Sequence, residues 1–329
     1  MHSKALVFTT IALFVDALVL SACGVPPEGS GDDVDLDATF ATYNAGLARG
    51  FVDYATARTQ PVADAVSEID ADAVCLQEIW LAQDDMGNWT EEPIDAVKEA
   101  SSEAFPHQYV EITEPEDDPD AMPACTEQES EPLRECVEMN CAGVAPDQLA
   151  TCALQNCQME FGNTSGACQA CLGANLGKPI DDIIFACRGG SASFTSRGHN
   201  GLMLLSRHEF QKKEFKRFES TVAARVALHA RINVPDFGET DLYCTHLAAN
   251  LTDLTYPGMK FDSFQKEQAA QIRSLLQFIE ETSTTAQIVI LGDMNTGPSV
   301  GGLMAELPSN YRIFEPATLR NPYLEQASP

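Results

Sequence analysis

The stretch QIVILGDMNTGP, Gln287 to Pro298, is the part of the sequence that decides the fold. Its four aliphatic residues, Ile288 to Leu291, form an apolar run typical of a buried strand. Gly292 ends the run, and Asp293 and Asn295 then follow, two positions apart, so their side chains point the same way from an extended strand end. An ordinary turn also uses Gly, Asp, Asn and Pro, so this stretch alone is compatible with either a functional site or a plain turn.

Three other strand-like runs end in side chains that suit a site. The run from Phe40 ends at the amide Asn44, and an apolar run after a helical segment, residues 57–69, closes on Glu78. A later run, DLYCTHL, contains His246, and residues 265–280 then predict an amphipathic helix. Strand-like and helical runs therefore alternate along the chain.

These side chains suit phosphoester chemistry at a metal. Carboxylate and amide oxygens with waters are what Mg²⁺ binds, so Glu78 and Asn44 are the candidate metal ligands. Asp293 is the candidate to orient or deprotonate an attacking water, and Asn295 to donate a hydrogen bond to the phosphate. His246 is expected to serve the phosphate or the leaving group.

The charge balance bears on what the protein binds. The chain has 329 residues, of which 44% are hydrophobic, and 20 Lys and Arg stand against 49 Asp and Glu, which gives a formal net charge of -29. This charge disfavours binding to bulk nucleic acid. It does not exclude phosphate chemistry, since bound divalent cations can lie between carboxylates and a phosphoester.

The first 23 residues are typical of an export signal. Lys4 precedes an apolar stretch, Ala5 to Leu20, and the sequence Leu-Ser-Ala-Cys that ends at Cys23 resembles the lipobox of bacterial lipoproteins. We expect residues 1–23 to be a lipoprotein signal peptide, Cys23 to carry the lipid, and residues 24–36 to be a flexible tether. The alternative is a plain secretory peptide, so the protein is either a membrane-anchored bacterial lipoprotein or extracellular.

Eleven cysteines divide into three groups. Cys23 is assigned to the lipid, and Cys75 and Cys244 lie in strand-like runs where we expect small buried thiols. The remaining eight lie within residues 115–189, and the first six alternate eleven and five residues apart. They are Cys125, Cys136, Cys141, Cys152, Cys157, Cys168, Cys171 and Cys187.

This spacing predicts a hairpin of short helices. Eleven residues are close to three helical turns, and a Gly and a Pro separate the two helix-forming stretches. An antiparallel hairpin would pair Cys141 with Cys152 and Cys136 with Cys157, although the sequence alone cannot choose among the possible pairings. The alternative is a metal cluster with a Cys168-x-x-Cys171 arm, but an exported chain with an even cysteine count favours disulfides.

Five short motifs, in this order along the chain, resemble those of the endonuclease/exonuclease/phosphatase superfamily. This superfamily includes exonucleases, deoxyribonucleases, inositol polyphosphate phosphatases and neutral sphingomyelinases. The resemblance covers residues 38–114 and 190–315. Its motifs are Tyr43-Asn44, Leu76-Gln77-Glu78, Gly201 to Arg207, Thr245-His246-Leu247 and Gly292 to Asn295.

The resemblance implies an α/β fold, a four-layer α-β-β-α sandwich with two central mixed β-sheets. Residues 37–114 and 190–329 would form this domain, and residues 115–189 a disulfide-rich, mainly helical insertion. It also implies a phosphodiesterase or phosphomonoesterase in which water attacks phosphorus while Mg²⁺, or Mn²⁺, held by Glu78 with help from Asn44, stabilises the charge.

No motif assigns a role to Asn200, to His199 or to the insertion, and their predicted roles rest on position in the sequence. Asn200, next to the Gly that opens a strand, is the candidate substrate contact, and His199 is expected to be a surface side chain. The insertion falls where loops of the superfamily border the cleft, so it is either a lid that shapes specificity or a remote decoration that binds a partner.

Substrate and activity stay open among three interpretations. The acidic balance and the expected lipid anchor favour a lipid headgroup, as in sphingomyelinase-type members, over duplex DNA. The alternatives are an extracellular nuclease of the same superfamily and a catalytically inactive, anchored binding protein. The superfamily closes with an Asp-His pair, and no His follows Asn295 here. We expect a longer protein to supply that pair, since a naturally shorter chain would lose a general-base contribution of about 10²–10⁴.

Overall fold

The computed structural model describes most of the chain outside its first residues and a few short segments. The predicted lipidation site Cys23 and the predicted tether, residues 24–36, lie outside the part it describes. The described residues are 20–21, 38–84, 88–112, 123–145, 148–189, 195–252, 254–257, 260–285, 287–300, 302–317, 319–321 and 324.

Strands and helices alternate, as the sequence predicts. The strands are β1 (Leu20–Ser21), β2 (Thr39–Asn44), β3 (Ala73–Gln77), β4 (Ala82–Gln83), β5 (Trp89–Thr90), β6 (His107–Tyr109), β7 (Met203–Ser206), β8 (Lys212–Arg217), β9 (Val226–Val234), β10 (Gly238–His246) and β11 (Gln287–Asp293). The helices are α1 (Ala55–Ser67), α2 (Glu92–Ser101), α3 (Glu127–Asn140), α4 (Leu149–Asn156), α5 (Gln158–Gly162), α6 (Gly166–Ala174), α7 (Ile180–Gly189), α8 (Phe264–Thr282) and α9 (Pro308–Tyr311).

The strands form two larger sheets, both mixed. The first has the order β1-β2-β3-β7-β6 and the second β11-β10-β9-β8, while β4 and β5 pair separately. In each larger sheet one pair is parallel, β2 with β3 and β10 with β11, and the other pairs are antiparallel. The prediction of two central mixed sheets is confirmed.

Apolar side chains fill three interfaces between four layers. Leu204 and Leu228 belong to the core between the two sheets. Val66 of α1 and Val97 of α2 pack on the outer face of the first sheet, and Leu275 of α8 packs on the second. The order of layers is helix, sheet, sheet, helix, which confirms the predicted sandwich.

The two helices predicted outside the insertion are present with small shifts at their ends. Residues 57–69 correspond to α1, and residues 265–280 to α8. The Ser263 hydroxyl caps α8 by accepting the Lys266 backbone N–H at 3.2 Å. The apolar face of α8 packs on the second sheet. Gln268, near the start of α8, donates to the carbonyls of Ala248 and Asn295, which follow β10 and β11.

The cysteine-rich segment forms a layer of five helices, α3 to α7, held by four disulfides. They are Cys125–Cys168, Cys136–Cys157, Cys141–Cys152 and Cys171–Cys187. The two pairings predicted for the helical hairpin are confirmed. Because Cys168 and Cys171 belong to different disulfides, the alternative of a metal cluster with these two as an arm is wrong.

A fifth disulfide corrects the prediction that Cys75 and Cys244 are free thiols. These two residues lie on β3 and β10, one in each sheet, and both are fully buried. Their Cα atoms are 5.4 Å apart across the core between the sheets. This bond joins the two halves of the sandwich, and five disulfides indicate an oxidising environment. In the described part of the chain, no helix combines the length and hydropathy that a membrane span requires.

Replacing both Cys75 and Cys244 with Ala should lower the free energy of unfolding by about 2–5 kcal/mol, because this bond closes a loop of 169 residues. Urea denaturation of the variant and the wild type measures the loss. Removing Cys141–Cys152, which closes only 11 residues, is the matched control and should cost less. Equal stability of the Cys75/Cys244 variant and the wild type would contradict a bond between the sheets.

Candidate active site

The predicted side chains at four strand ends meet at one edge of the sandwich. In the parallel pairs, Asn44 on β2 lies opposite Gln77 on β3, and His246 on β10 lies opposite Asp293 on β11. Parallel neighbours bring their carboxyl ends to the same edge of each sheet, and facing sheets bring the two edges together. Hydrogen bonds between Asn44 and residues of both sheets confirm this arrangement.

Gly292 explains why the aliphatic run of β11 stops where it does. Its φ is +147°, and a Cβ at this position would lie 2.0 Å from the Thr245 carbonyl oxygen. Any larger residue would push β11 away from β10. The glycine therefore places the next residue, Asp293, directly beside His246.

The Asn44 amide lies between two carboxylates. Its Nδ2 donates to Glu78 Oε1 at 2.9 Å and to Asp293 Oδ2 at 3.0 Å, while its Oδ1 accepts the Gly46 N–H at 3.1 Å. The amide nitrogen, and not the oxygen, therefore faces the carboxylates. A metal binds an amide through its oxygen, so the predicted ligand role would require the reverse orientation of this amide. In the orientation seen here, Asn44 holds Glu78 and Asp293 together.

Glu78 occupies a strained and electrostatically costly position. It follows β3 with φ +61°, a conformation that non-glycine residues seldom adopt. Burial raises the pKa of its carboxyl above the ordinary 4.5, and the charge of Asp293 raises it further, while Asn44 and Arg225 oppose this shift. The carboxylate form therefore gains from any additional positive charge in the site.

Asp293 and Asn295 are joined by the turn after β11. Asp293 Oδ1 accepts the Asn295 backbone N–H at 3.0 Å, and Asn295 has φ +45°. The Asn295 side chain donates one Nδ2 hydrogen to the Leu247 carbonyl at 2.9 Å. Its second amide hydrogen is thus the one available for the predicted phosphate contact.

His246 is a neutral imidazole in this site. Burial, and then the positive charge of Arg225, hold its pKa well below 6.5. Its Nε2 lies 3.8 Å from Asp293 Oδ2, and its buried Nδ1 has no hydrogen-bond partner among the described residues. A neutral ring can donate one hydrogen bond and accept another, which suits contact with a phosphate ester or its leaving group.

Arg225 is a site residue that the sequence reasoning missed. It lies immediately before β9, and its positive charge acts on Glu78, Asp293 and His246. Its Nη1 is buried and finds no acceptor in the part of the chain that the structure describes. A buried guanidinium nitrogen without an acceptor favours an anionic ligand. No motif marks Arg225, which sits in a strand-like run whose neighbours are mostly apolar.

These side chains line one cavity of about 260 Å³. The predicted and newly identified residues in its wall are Glu78, Arg225, His246, Asp293 and Asn295. The cavity is slightly smaller than typical small-ligand sites, whose volumes begin at about 300 Å³. It would therefore admit a phosphate group with its nearest substituents.

Asn200 and His199 differ from their predicted roles. Asn200 is buried and its side chain serves the main chain, because Nδ2 donates to the Glu111 carbonyl at 2.6 Å and Oδ1 accepts the Leu202 N–H at 2.9 Å. His199, expected on the surface, is fully buried and accepts the Gly201 N–H at 3.1 Å through Nδ1. Burial, with the charge of Lys98, lowers its pKa to about 4. Neither side chain lines the cavity.

Comparison with known protein families shows which family the chain belongs to. A sequence model described as the Endonuclease/Exonuclease/phosphatase family matches residues 41–303. The chain belongs to this family. Members of the endonuclease/exonuclease/phosphatase family are hydrolases of the phosphoesterase and nuclease type. No protein of curated function matches the chain significantly.

Three solved structures of endonuclease/exonuclease/phosphatase proteins are similar to the chain at low identity. For the protein from Beutenbergia cavernae DSM 12333 the identity is 14% and the TM-score 0.43, covering 84% of this chain and 52% of that one. For the protein from Leptotrichia buccalis C-1013-b the identity is 10% and the TM-score 0.37, covering 78% of this chain and 66% of that one. For the protein from Bacteroides thetaiotaomicron the identity is 12% and the TM-score 0.40, covering 85% of this chain and 68% of that one. The chain thus spans about half the length of the first structure and about two thirds of the others.

The donor set fits a divalent cation of the kind that endonuclease/exonuclease/phosphatase members typically use. Across the described ranges, no three His, Cys, Asp or Glu side chains are arranged to enclose a metal. The site offers Glu78 and Asp293, two carboxylates held close by Asn44. Mg²⁺ binds through one or two carboxylates and keeps several waters, so this set suits it better than a metal that needs a full protein cage.

Proposed function

We propose that this protein is a metal-dependent hydrolase of phosphoester bonds that uses Mg²⁺ or Mn²⁺. The observation that carries the proposal is the site at the joined sheet edges. There, Asn44 bridges the carboxylates of Glu78 and Asp293. Arg225, whose buried Nη1 has no acceptor among the residues that the structure describes, lines the cavity beside these two acids. Paired acids suit a cation, and the buried guanidinium suits an anion.

Each residue of the site has its own role in the proposed hydrolysis. Glu78 and Asp293 would hold the metal, which when bound would stabilise negative charge on the phosphoryl oxygens. Arg225 would bind a phosphoryl oxygen through its buried Nη1. Asp293 would also orient the attacking water and accept its proton, and His246, neutral and buried, would hydrogen-bond to the phosphate or the leaving group.

The favoured substrate is a lipid headgroup phosphodiester or another small phosphodiester. The net charge of -29 disfavours long polyanions, and a lipid at Cys23, if attached, would place the site beside a membrane. An extracellular nuclease and an inactive, anchored binding protein are the other outcomes. Export and anchoring at Cys23 belong to this proposal and rest on the sequence of the first 23 residues alone.

Hydrolysis of three substrates with Mg²⁺ tests the function. The substrates are bis(p-nitrophenyl) phosphate, an alkylphosphocholine and single-stranded DNA. We expect hydrolysis of the two small phosphodiesters and little of DNA. Faster hydrolysis of DNA would favour the nuclease, and no hydrolysis of any substrate would favour the binding protein.

Arg225→Met should lower kcat/KM for bis(p-nitrophenyl) phosphate by about 10- to 100-fold, because a charge-assisted hydrogen bond to the phosphate is lost. Arg225→Lys keeps the charge without the planar fork and should lose less. Steady-state kinetics measure both variants. Arg207→Met, which removes a surface arginine paired with Asp70, is the control and should match the wild type. Unchanged kinetics of Arg225→Met would rule out a phosphate contact.

A further inference from the structure

A second cavity lies between the helical insertion and the sandwich. Its volume is about 410 Å³, and most of its wall is aliphatic or aromatic. Leu133, Leu172 and Ile183 line it from the insertion, and Leu251 and Phe264 line it from the sandwich. We call this space, lined by these residues and their neighbours, the apolar chamber.

Two polar side chains in this wall, Thr151 and Gln169, are already bonded within the protein. The Thr151 hydroxyl donates to Asp53 Oδ1 at 2.8 Å, and Gln169 Oε1 accepts the Thr255 N–H at 2.8 Å. These two bonds also tie the insertion to the sandwich. The chamber therefore offers a ligand mostly apolar contact, which a hydrocarbon satisfies and a sugar or nucleotide does not.

The insertion keeps the chamber open. Four disulfides cross-link its helices, and Cys125, Cys168, Cys171 and Cys187 belong to the same apolar cluster as Leu172 and Ile183. Such a cross-linked wall cannot easily collapse into the space. A hydrocarbon that fills it would remove apolar surface of the wall from water, which is favourable.

The apolar chamber adjoins the catalytic cavity. Four residues line both spaces: Phe51, Val222, Leu251 and Phe264. The same catalytic cavity contains Arg225 and Asp293. The two spaces therefore lie close enough for one molecule to hold a phosphate at Arg225 and place a long apolar substituent in the chamber.

We propose that the apolar chamber binds a hydrocarbon chain of a lipid phosphoester whose phosphate lies in the catalytic cavity. The proposal rests on the proposed function and assigns its substrate class. A protein helix is the other apolar occupant to consider, and the adjoining catalytic cavity favours the lipid phosphoester, since a helix brings no phosphate to Arg225. A single extended chain fits. The insertion thus selects the substrate, as a lid would.

Gly173 offers a way to fill the chamber without disturbing the catalytic residues. It lies within α6 and lines the chamber, and a Cβ there would make an ordinary contact of 3.6 Å with the Phe51 ring. Gly173→Leu therefore places four carbons in the space. Ala170→Leu, on the same helix and wall, is a second filling variant. Gly162→Leu, at the end of α5 where a Cβ meets nothing within 4 Å, is the matched control.

The test compares two substrates with the same headgroup, butylphosphocholine and dodecylphosphocholine, each below its critical micelle concentration. In the wild type and in Gly162→Leu we expect a much higher kcat/KM for the dodecyl ester. In Gly173→Leu and Ala170→Leu this preference should fall about 15- to 60-fold, because about two to three methylenes are displaced and each contributes about fourfold. Equal kcat/KM for both esters in the wild type, or an unchanged preference in both filling variants, would overturn the proposal.

Binding separates failure of this proposal from failure of the proposed function. If the wild type hydrolyses neither ester nor bis(p-nitrophenyl) phosphate, the proposed function fails. Calorimetric titration with dodecylphosphocholine then decides the chamber. Binding by the wild type and Gly162→Leu, weakened at least about tenfold in both filling variants, supports it. No binding, or equal binding by all four proteins, overturns it.

Discussion

Glu78→Gln lowers the rate of Mg²⁺-dependent phosphodiester hydrolysis by about 10²–10³-fold in this account. The substitution keeps the shape of the side chain and an oxygen that can accept the Asn44 Nδ2 hydrogen bond, which is 2.9 Å long in the wild type. It removes one of the two negative charges of the proposed metal site. The rate of bis(p-nitrophenyl) phosphate hydrolysis at saturating Mg²⁺ measures the loss.

The same substitution should make the metal-free protein more stable at neutral pH. Burial raises the folded-state pKa of Glu78 above its ordinary 4.5, so ionising this carboxyl costs more in the folded protein than in the unfolded chain. Below pH 4.5 the Glu78 carboxyl is neutral in both states and does not lower the free energy of unfolding. As the pH rises through the raised folded-state pKa, the protein loses stability because the buried carboxyl must ionise. Gln cannot ionise and avoids that loss.

Thermal unfolding in the presence of EDTA checks this expectation. Glu78→Gln should unfold at a higher temperature than the wild type at neutral pH, and the difference should disappear below pH 4.5. A variant that is inactive and also less stable at neutral pH would mean that Glu78 supports the fold and not the chemistry.

Asp293→Asn should lower kcat by a similar factor of about 10²–10³, for a different reason. Asp293 lies beside His246 and accepts hydrogen bonds from Asn44 and from the Asn295 main chain, so it is fixed with both oxygens in use. An amide in its place cannot accept a proton from water. Its NH₂ group would also face either the Asn44 amide or the Asn295 backbone N–H, both of which are donors, so the side chain at position 293 would lose its alignment. Single-turnover kinetics of bis(p-nitrophenyl) phosphate hydrolysis measure the chemical step directly.

Glu306 provides the control for Asp293. Burial, and then the charge of Asp293, raise the pKa of Glu306, so the two carboxyls are close, but Glu306 does not line the cavity. Glu306→Gln should therefore retain activity within a few fold. If Glu306→Gln and Asp293→Asn lost the same activity, the effect would come from the local charge and not from a role of Asp293 in the reaction.

The sequence predicts most of the site because its residues occupy strand ends. A buried apolar run has one end where polar side chains can leave the core, and Glu78, His246 and Asp293 each stand at such an end. Parallel pairing then brings these ends together without further information. The helical hairpin of the insertion is predictable for a similar reason, since its cysteines repeat at a helical spacing.

Other features depend on contacts between distant segments. The Cys75–Cys244 bond needs the distance between two facing sheets, and two lone cysteines in apolar runs give no sign of it. Arg225 becomes a site residue only when the start of β9 is placed beside the ends of β3 and β11. Asn200 shows the opposite case, in which a polar residue near a motif is used by the Glu111 and Leu202 main chain.

The metal requirement of the wild-type protein tests the central claim most directly. The measurement is the rate of bis(p-nitrophenyl) phosphate hydrolysis after treatment with EDTA, and again after Mg²⁺ or Mn²⁺ is restored, beside Glu78→Gln under the same conditions. We expect that EDTA abolishes hydrolysis, that either metal restores it in the wild type, and that neither restores it in Glu78→Gln. Hydrolysis that persists in EDTA, or that Glu78→Gln performs at the wild-type rate, would contradict a metal site built on Glu78 and Asp293.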